Sequence, residues 1–241
     1  MGRADRSEAG PGRLRMVSSQ CTVGRVDRSE ARPWPSADGF GTMGRVDRSE
    51  ARILRELLEL GRGRAWLDEA DEFAAALRAA PRREGGLLLV GAERAEPWHM
   101  AAHLSDEARL AGLGQLNPTL IQRTPRPDAP AHLSASLDRI SAAGRSEAVL
   151  IVAQDDPDDL VLEHIDDARS HGARILTLGD TPLTRGLAHE SLGLPDIPEA
   201  PSFDGAQHLV TGAAVEVRPS GLLVRLRRWV EASNGPRVER W

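Results

Sequence analysis

The run Ala148-Val-Leu-Ile-Val-Ala153 is followed by a segment with helical periodicity, Asp158–His171, and then by a second apolar run, Ala173-Arg-Ile-Leu-Thr-Leu178. Each apolar run has the length and composition of a strand that is buried on both faces. Between them, apolar side chains recur at intervals of three and four residues, the spacing of one helix face, and Gly172 ends the helix. The stretch therefore predicts a β-α-β unit with two parallel strands and a right-handed crossover.

Apolar runs of strand length alternate with helical segments on both sides of this unit. The clearest run is Leu87-Leu-Leu-Val-Gly91, which predicts another strand buried on both faces. The alternation predicts an α/β fold with a doubly wound, mainly parallel sheet of the flavodoxin-like kind and with flanking N- and C-terminal helices. The remaining predicted elements are helices at Trp66–Ala80, Pro97–Leu110, His132–Ala143 and Phe203–Val217, and strands at Thr119–Ile121 and Leu192–Leu194.

The chain divides into four segments. Copies of a polar motif begin at Gly2, Gly24 and Gly44, and the first two copies lie in residues 1–42. This stretch cannot bury enough apolar surface to fold, so we predict that it is a disordered tail. The predicted segments are the tail at residues 1–42, an N-terminal helical segment at residues 43–84, the α/β domain at residues 85–215, and a C-terminal helix and tail at residues 216–241.

Composition and charge exclude several functional classes. The formal net charge of −5 disfavours nucleic acid as a partner. Cys21 is the one cysteine of the chain, which excludes an internal disulfide and a cysteine-based metal cluster. No apolar run approaches the ~18 residues of a membrane span, and the N-terminus lacks the apolar region of a secretory signal. We therefore expect a cytoplasmic protein with no membrane partner.

Several segments resemble the sugar isomerase (SIS) domain family. The first strand Leu87–Gly91, its loop and the helix containing His99–Leu104 are similar to the first strand, ligand loop and first helix of SIS domains. The stretch Glu147–Leu178 resembles the second half of that family, and Leu187–Pro195 resembles its short strand that ends at a Leu-Pro step. Gln207–Leu209 is similar to the opening of its closing helix. The resemblance covers residues 85–215 and implies a domain that binds a sugar phosphate.

The two loops that hold phosphate in SIS domains depart from the family pattern. The first loop, Ala92–Pro97, and the second, Gln154–Asp159, contain no Ser or Thr, and the second carries four carboxylates. A phosphate beside these carboxylates would be repelled, although carboxylates at the start of a helix also serve as its cap. The ligand-binding residues implied by the resemblance are Gly91, Ala92, Glu93, Arg94, Gln154, Asp155, Asp156, Gly179 and Gln207.

The acidic second loop favours a regulatory or binding protein without catalytic activity. Its expected ligand is a small molecule of carbohydrate or nucleotide type, and we predict no cofactor. One alternative is a phosphosugar isomerase, which interconverts aldoses and ketoses, with phosphate contacts from backbone N–H groups and Arg94. Its acid and base would come from Glu163, Glu190 and His208. The other alternative is a purely structural dimerising module.

One pair of histidines has a spacing that can bind a metal. His99 and His103 lie four residues apart on a predicted helix, but the Glu that follows the first His in metalloprotease helices is absent. Nothing in the sequence forces a third ligand to join them, so we predict no metal site. The third ligands considered are Glu93, Glu96 and Asp106.

Two helical segments outside the α/β domain have apolar faces that need burial. These are Ile53–Leu60 and Leu222–Val230, in a chain with only 3% aromatic residues. SIS domains usually pair, and the resemblance therefore implies a homodimer formed through these flanking helices.

Overall fold

The structure is a computed structural model that describes residues 51–92, 97–125, 132, 135–179 and 181–216. The predictions for the repeated tail, for Glu93, Arg94 and Glu96, and for the helix Leu222–Val230 lie outside these residues. No helix in the described part of the chain is both long enough and apolar enough to cross a membrane.

The described residues contain five parallel strands that form a single sheet. The strands are β1 (Leu87–Gly91), β2 (Pro118–Leu120), β3 (Ala148–Val152), β4 (Arg174–Leu178) and β5 (Glu190–Leu192). Their order across the sheet is β2-β1-β3-β4-β5. This is the strand order of flavodoxin-like doubly wound proteins, and it confirms the predicted fold class.

Helices cover both faces of the sheet. The helices are α1 (residues 51–60), α2 (Arg64–Ala79), α3 (Trp98–Ala111), α4 (Asp138–Ser141), α5 (Asp159–Ser170), α6 (Pro182–Leu187) and α7 (Phe203–Val215). One core contains the sheet face against α2, α3 and α7, and the other contains the opposite face against α4 and α5.

The apolar runs of the sequence are buried on both sides because side chains alternate along a strand. In β1, Leu87 and Leu89 face the core of α2, α3 and α7, whereas Leu88 and Val90 face the core of α4 and α5. All four are at most 3% exposed. Each such side chain stabilises the fold by about 1.5–3 kcal/mol relative to full exposure. The central strands therefore form a rigid base for the loops that follow them.

Two predicted elements differ from the structure. The helix predicted over His132–Ala143 is confined to α4, because Ala135 forms a parallel bridge with Ile121 and accepts a hydrogen bond from the Gln122 N–H at 2.8 Å. This long-range pairing holds Ala135 in an extended conformation. The last strand begins two residues earlier than predicted, at Glu190, because that residue is in register with Leu176 of β4.

Candidate functional site

The strand order defines a crevice at one edge of the sheet. The chain adds strands in opposite directions from β1, with β2 on one side and β3 on the other. Doubly wound sheets bind ligands at this reversal, outside the carboxyl ends of the strands. Gly91 at the end of β1 pairs with Val152 at the end of β3, which pairs with Leu178 at the end of β4. The predicted residues Ala92, Gln154 and Gly179 follow these ends and lie at the same edge.

Two carboxylates of the second loop, those of Asp156 and Asp158, accept hydrogen bonds from backbone N–H groups of the protein. Oδ1 of Asp158 accepts hydrogen bonds from Leu160 N at 3.0 Å and Val161 N at 3.2 Å. Asp158 also forms an ion pair with Arg123. Oδ1 of Asp156 accepts from Leu183 N in α6 at 3.3 Å. Carboxylates therefore satisfy the donors at the start of α5 that a phosphate would otherwise use, together with one donor of α6.

Gly179 has a structural role at the crevice. Its φ of +107° is a conformation that side chains rarely adopt, and an added Cβ would lie 1.9 Å from the carbonyl oxygen of Ala153 and 3.1 Å from the ring of Phe203. The residue thus allows the end of β4 to lie directly against the end of β3 and the start of α7.

The other predicted ligand residues have different surroundings. Gln154 and Asp155 are exposed at the crevice, where a ligand can reach them. Gln207 is only 6% exposed, and its Nε2 donates to Oδ1 of Asp204 at 3.2 Å within α7. The amide of Gln207 therefore already has a partner within its own helix.

The structure disperses the three catalytic candidates. Glu163 is exposed on α5, whereas His208 lies on α7, across the sheet. Glu190 begins β5 and forms an ion pair with Arg174 at 3.6 Å. Because Glu163 and His208 occupy opposite faces of the sheet, they are not brought together as an acid and a base for one substrate.

Two ionisable groups with shifted pKa values precede their strands, at the edge opposite the crevice. Burial alone would raise the pKa of Glu147, but the hydrogen bond from Arg139, the Gly144 N–H at 2.9 Å and the charges of Arg139 and Arg83 outweigh it and lower the pKa. Burial lowers the pKa of His189, assisted by the nearby charges of Arg174 and Arg169. Glu147 joins α4 to the segments before β1 and β3. Its lowered pKa therefore results from contacts that stabilise the fold and does not mark a catalytic group.

A hydrogen-bonded cluster joins α4 to α5. Oγ of Ser141 lies 2.6 Å from Nδ1 of His164 and donates to Oδ2 of Asp167 at 3.0 Å. In a nucleophilic triad the carboxylate orients the histidine, whereas here it binds the serine hydroxyl directly. The cluster therefore ties the two helices together and does not activate Ser141.

A third histidine joins the pair that the sequence singled out. His99 and His103 project from successive turns of α3, and His208 projects towards them from α7. Nε2 of His99 lies 3.2 Å from Nε2 of His103, and one nitrogen of each of the three rings lies within 4.8 Å of the others. In the described part of the chain, this is the one group of three or more His, Cys, Asp or Glu side chains placed so that it could hold a metal ion. Asp106, considered earlier as a third ligand, instead pairs with Arg109 at 3.6 Å.

A cavity of about 570 Å³ adjoins the histidines. His103 and His208 line it together with Arg55 of α1, Glu107 of α3 and Gly212 of α7. Its volume is in the range of small-molecule sites, and two of its lining side chains belong to the histidine cluster. Sequence reasoning missed this arrangement because it depends on the packing of α1, α3 and α7.

No protein-family model matches the sequence, and no curated protein matches it significantly. Among solved structures, the chain is similar to one described as a candidate sugar binding protein from Salmonella typhimurium LT2, with 16% sequence identity and a TM-score of 0.42. The alignment covers 76% of this chain and 54% of that chain, so this chain spans about half the length of that protein. At this level, the similarity identifies neither a ligand nor an activity.

Proposed function

We propose that the α/β domain, residues 85–215, is an SIS-like module that binds a carbohydrate derivative without phosphate and does not isomerise it. The ligand would lie at the carboxyl edge of the sheet, beside the loops that follow β1 and β3. The exposed side chains of Gln154 and Asp155 would bind this ligand, because they can form hydrogen bonds with sugar hydroxyls.

The observation that carries this proposal is the occupation of the helix N-termini by Asp156 and Asp158. In the family that the sequence resembles, backbone donors at such positions hold the phosphate. Here Leu160 N and Val161 N donate to Asp158, and Leu183 N donates to Asp156. A phosphate would have to displace these carboxylates and leave them without their donors, whereas an uncharged hydroxyl would not.

Electrostatics also favour an uncharged ligand. Asp155 and Asp156 are both exposed at the crevice. A phosphate charge about 5 Å from one carboxylate is repelled by about 3 kcal/mol at an effective dielectric constant near 20. Such a repulsion would lower phosphate affinity by about two orders of magnitude. The same side chains accept hydrogen bonds from the hydroxyl groups of a free sugar.

A dimerising role is the second candidate, and it is favoured by the exposed face of α1. Ile53, Leu57 and Leu60 are 55%, 61% and 87% exposed, and their spacing places them along one stripe of the helix. The opposite side of α1 packs on the domain through the buried Leu58. An apolar stripe of this kind is expected in a subunit contact, and it is compatible with ligand binding at the crevice.

A thermal-shift screen of the full chain tests the proposed ligand class. Free sugars, amino sugars and nucleosides are compared with their phosphate esters at equal concentration. We expect a phosphate-free compound to raise Tm, because a ligand that binds the folded state stabilises it. A sugar phosphate that raises Tm more than its parent sugar does would contradict the proposal and favour the isomerase alternative.

Two matched variants locate the binding site. Gln154→Trp places a large side chain at the crevice and should abolish the Tm shift. Glu163→Trp makes the same kind of change at an exposed position of α5 and should leave the shift intact. Retention of the shift in Gln154→Trp would place the ligand elsewhere.

A further inference from the structure

We propose that His99, His103 and His208 form a binding site for one divalent transition metal ion, with zinc as the ion that the donor set favours. Imidazole nitrogen is a preferred zinc ligand, and three protein ligands with one open position are typical of catalytic zinc sites. This site is independent of the ligand proposed for the crevice loops.

The distances suit a single ion. Nitrogens bound to one zinc ion at about 2.0–2.1 Å in a tetrahedron lie about 3.3–3.4 Å apart. Nε2 of His99 and Nε2 of His103 are 3.2 Å apart, close to that edge length. The remaining nitrogen separations are at most 4.8 Å.

The two helices fix the cluster before any ion binds. His99 and His103 are separated by four residues, so their side chains lie on the same face of α3. The residues that directly follow them, Met100 and Leu104, are at most 1% exposed in the core shared with α7. His208 is followed by Leu209, which is 4% exposed in the same core. The three side chains therefore lose little further conformational entropy when an ion binds, and this favours tight binding.

The three imidazole rings pack closely enough to surround a single ion. Their centroids are 4.6 Å apart for His99 and His103, 5.1 Å for His99 and His208, and 4.4 Å for His103 and His208, and every pair is edge to face. Unprotonated imidazole nitrogen is the ligand form for a divalent ion, and one nitrogen of each ring lies within 4.8 Å of the others.

The adjoining cavity gives the ion an entry path and a free coordination position. His103 and His208 line the cavity of about 570 Å³, so a water molecule or a hydroxyl or carboxylate oxygen of a ligand can complete the coordination from that side. Glu107 lines the same cavity, one turn after His103, and can accept a hydrogen bond from a bound water. An oxygen-donor ligand is therefore the class that this site would take.

The test measures zinc binding to the full chain after removal of metal with a chelator. Zinc content after gel filtration gives the stoichiometry, and competition with a chromogenic chelator gives the affinity. We expect one zinc ion per chain. His208→Ala and His99→Ala should each weaken binding by more than about 100-fold, because loss of even an outer partner of a metal ligand costs about 10- to 100-fold. The controls are His171→Ala and His132→Ala, both at exposed positions, which should bind as the unmodified chain does.

Two outcomes overturn the proposal. The first is an unmodified chain that retains no zinc. The second is zinc binding that persists in both cluster variants, which would place the ion elsewhere, for example on the thiolate of Cys21. If the variants unfold, the visible absorption spectrum of the unmodified chain loaded with Co²⁺ tests the site instead. Strong visible absorption from tetrahedral coordination by nitrogen supports the site, and the weak absorption of octahedral Co²⁺ contradicts it.

Discussion

His189 lies just before β5, and its pKa is lowered from the ordinary value of a histidine. Its Nδ1 accepts a hydrogen bond from Ile175 N at 3.0 Å, which requires an unprotonated nitrogen. Burial lowers the pKa, and the charges of Arg174 and Arg169 add to that effect, while the charge of Glu190 acts against it. Protonation would remove this hydrogen bond, which is one of the contacts between the start of β5 and β4.

The lowered pKa of His189 predicts a pH-dependent stability. Between the folded-state pKa and the unfolded value near 6.5, the unfolded chain binds more protons, so the free energy of unfolding falls as pH falls. The contribution is fully present above about pH 6.5. We expect His189→Asn, whose Oδ1 can accept the same hydrogen bond, to show a weaker loss of stability on acidification. Urea unfolding from pH 7.5 to 5 measures this, with His132→Asn as the control. Equal pH dependence in the unmodified chain and His189→Asn would contradict the prediction.

Single residues also show what the sequence can predict about a site. The capping role of a carboxylate before α5 could be predicted, because Asp158 lies at the helix boundary and bonds to residues two and three positions later. The partnership of His208 with His99 and His103 could not, because the residues are about a hundred positions apart and meet only where α7 packs against α3. Local patterns predict local hydrogen bonds, but long-range packing decides which side chains share a site.

At the scale of elements, the ends of the strands position the loops that follow them. Gly179 lets β4 end against β3 because its backbone adopts a positive φ that other residues disfavour. Gly186 in α6 has no atom within 4 Å of an added Cβ. A side chain is therefore excluded at Gly179, three residues before α6, but has room at Gly186, inside α6.

Substitution of these glycines tests the close approach of the strands. Gly179→Ala should lower the free energy of unfolding by more than about 2 kcal/mol, because the new Cβ lies 1.9 Å from the Ala153 oxygen and the positive φ adds backbone strain. Gly186→Ala should leave stability unchanged or raise it by up to about 1 kcal/mol, as alanine does inside a helix. Urea unfolding of both variants measures the difference, and equal stabilities would contradict the prediction.

The periodicity of the sequence predicts most of these elements, since β1, β3 and β4 are apolar on both faces and α5 has an apolar stripe. It fails at Ala135, where pairing with Ile121 overrides a helical pattern. It also cannot give the strand order, which depends on how the helices distribute between the two faces. The location of the crevice follows from that order.

At the scale of the whole molecule, α1 offers a surface for self-association. Ile53, Leu57 and Leu60 expose an apolar stripe, and the cost of this exposure is reduced when a second copy covers it. We therefore propose a homodimer that includes α1, in agreement with the dimer implied by the resemblance to SIS domains.

Sedimentation velocity of the full chain tests this dimer. We expect a dimer that Leu57→Glu and Leu60→Glu together shift to monomer, because each places a charge in the apolar contact. A paired control, Leu110→Glu with Leu183→Glu, changes leucines that are 62% and 51% exposed on α3 and α6. A monomer at all concentrations in the unmodified chain, or an equal loss of the dimer in the control, would contradict the proposal.

We propose that charge at the crevice decides which ligand binds, and one titration tests this proposal directly. Sugar phosphates of six and seven carbons are titrated by calorimetry into the unmodified chain and into a double variant, Asp155→Ser with Asp156→Gly. The double variant removes two negative charges and frees Leu183 N, but leaves the Asp158 cap of α5 in place. Relief of the repulsion should strengthen phosphate binding by about 1–3 kcal/mol, or about five- to 150-fold in Kd.

A control double variant, Glu163→Ser with Asp166→Ser, removes the same net charge from exposed positions of α5 outside the loop. We expect no measurable affinity for sugar phosphates at millimolar concentration in the unmodified chain and in this control, and measurable affinity in the crevice variant. Tight binding of a sugar phosphate by the unmodified chain would contradict the proposal.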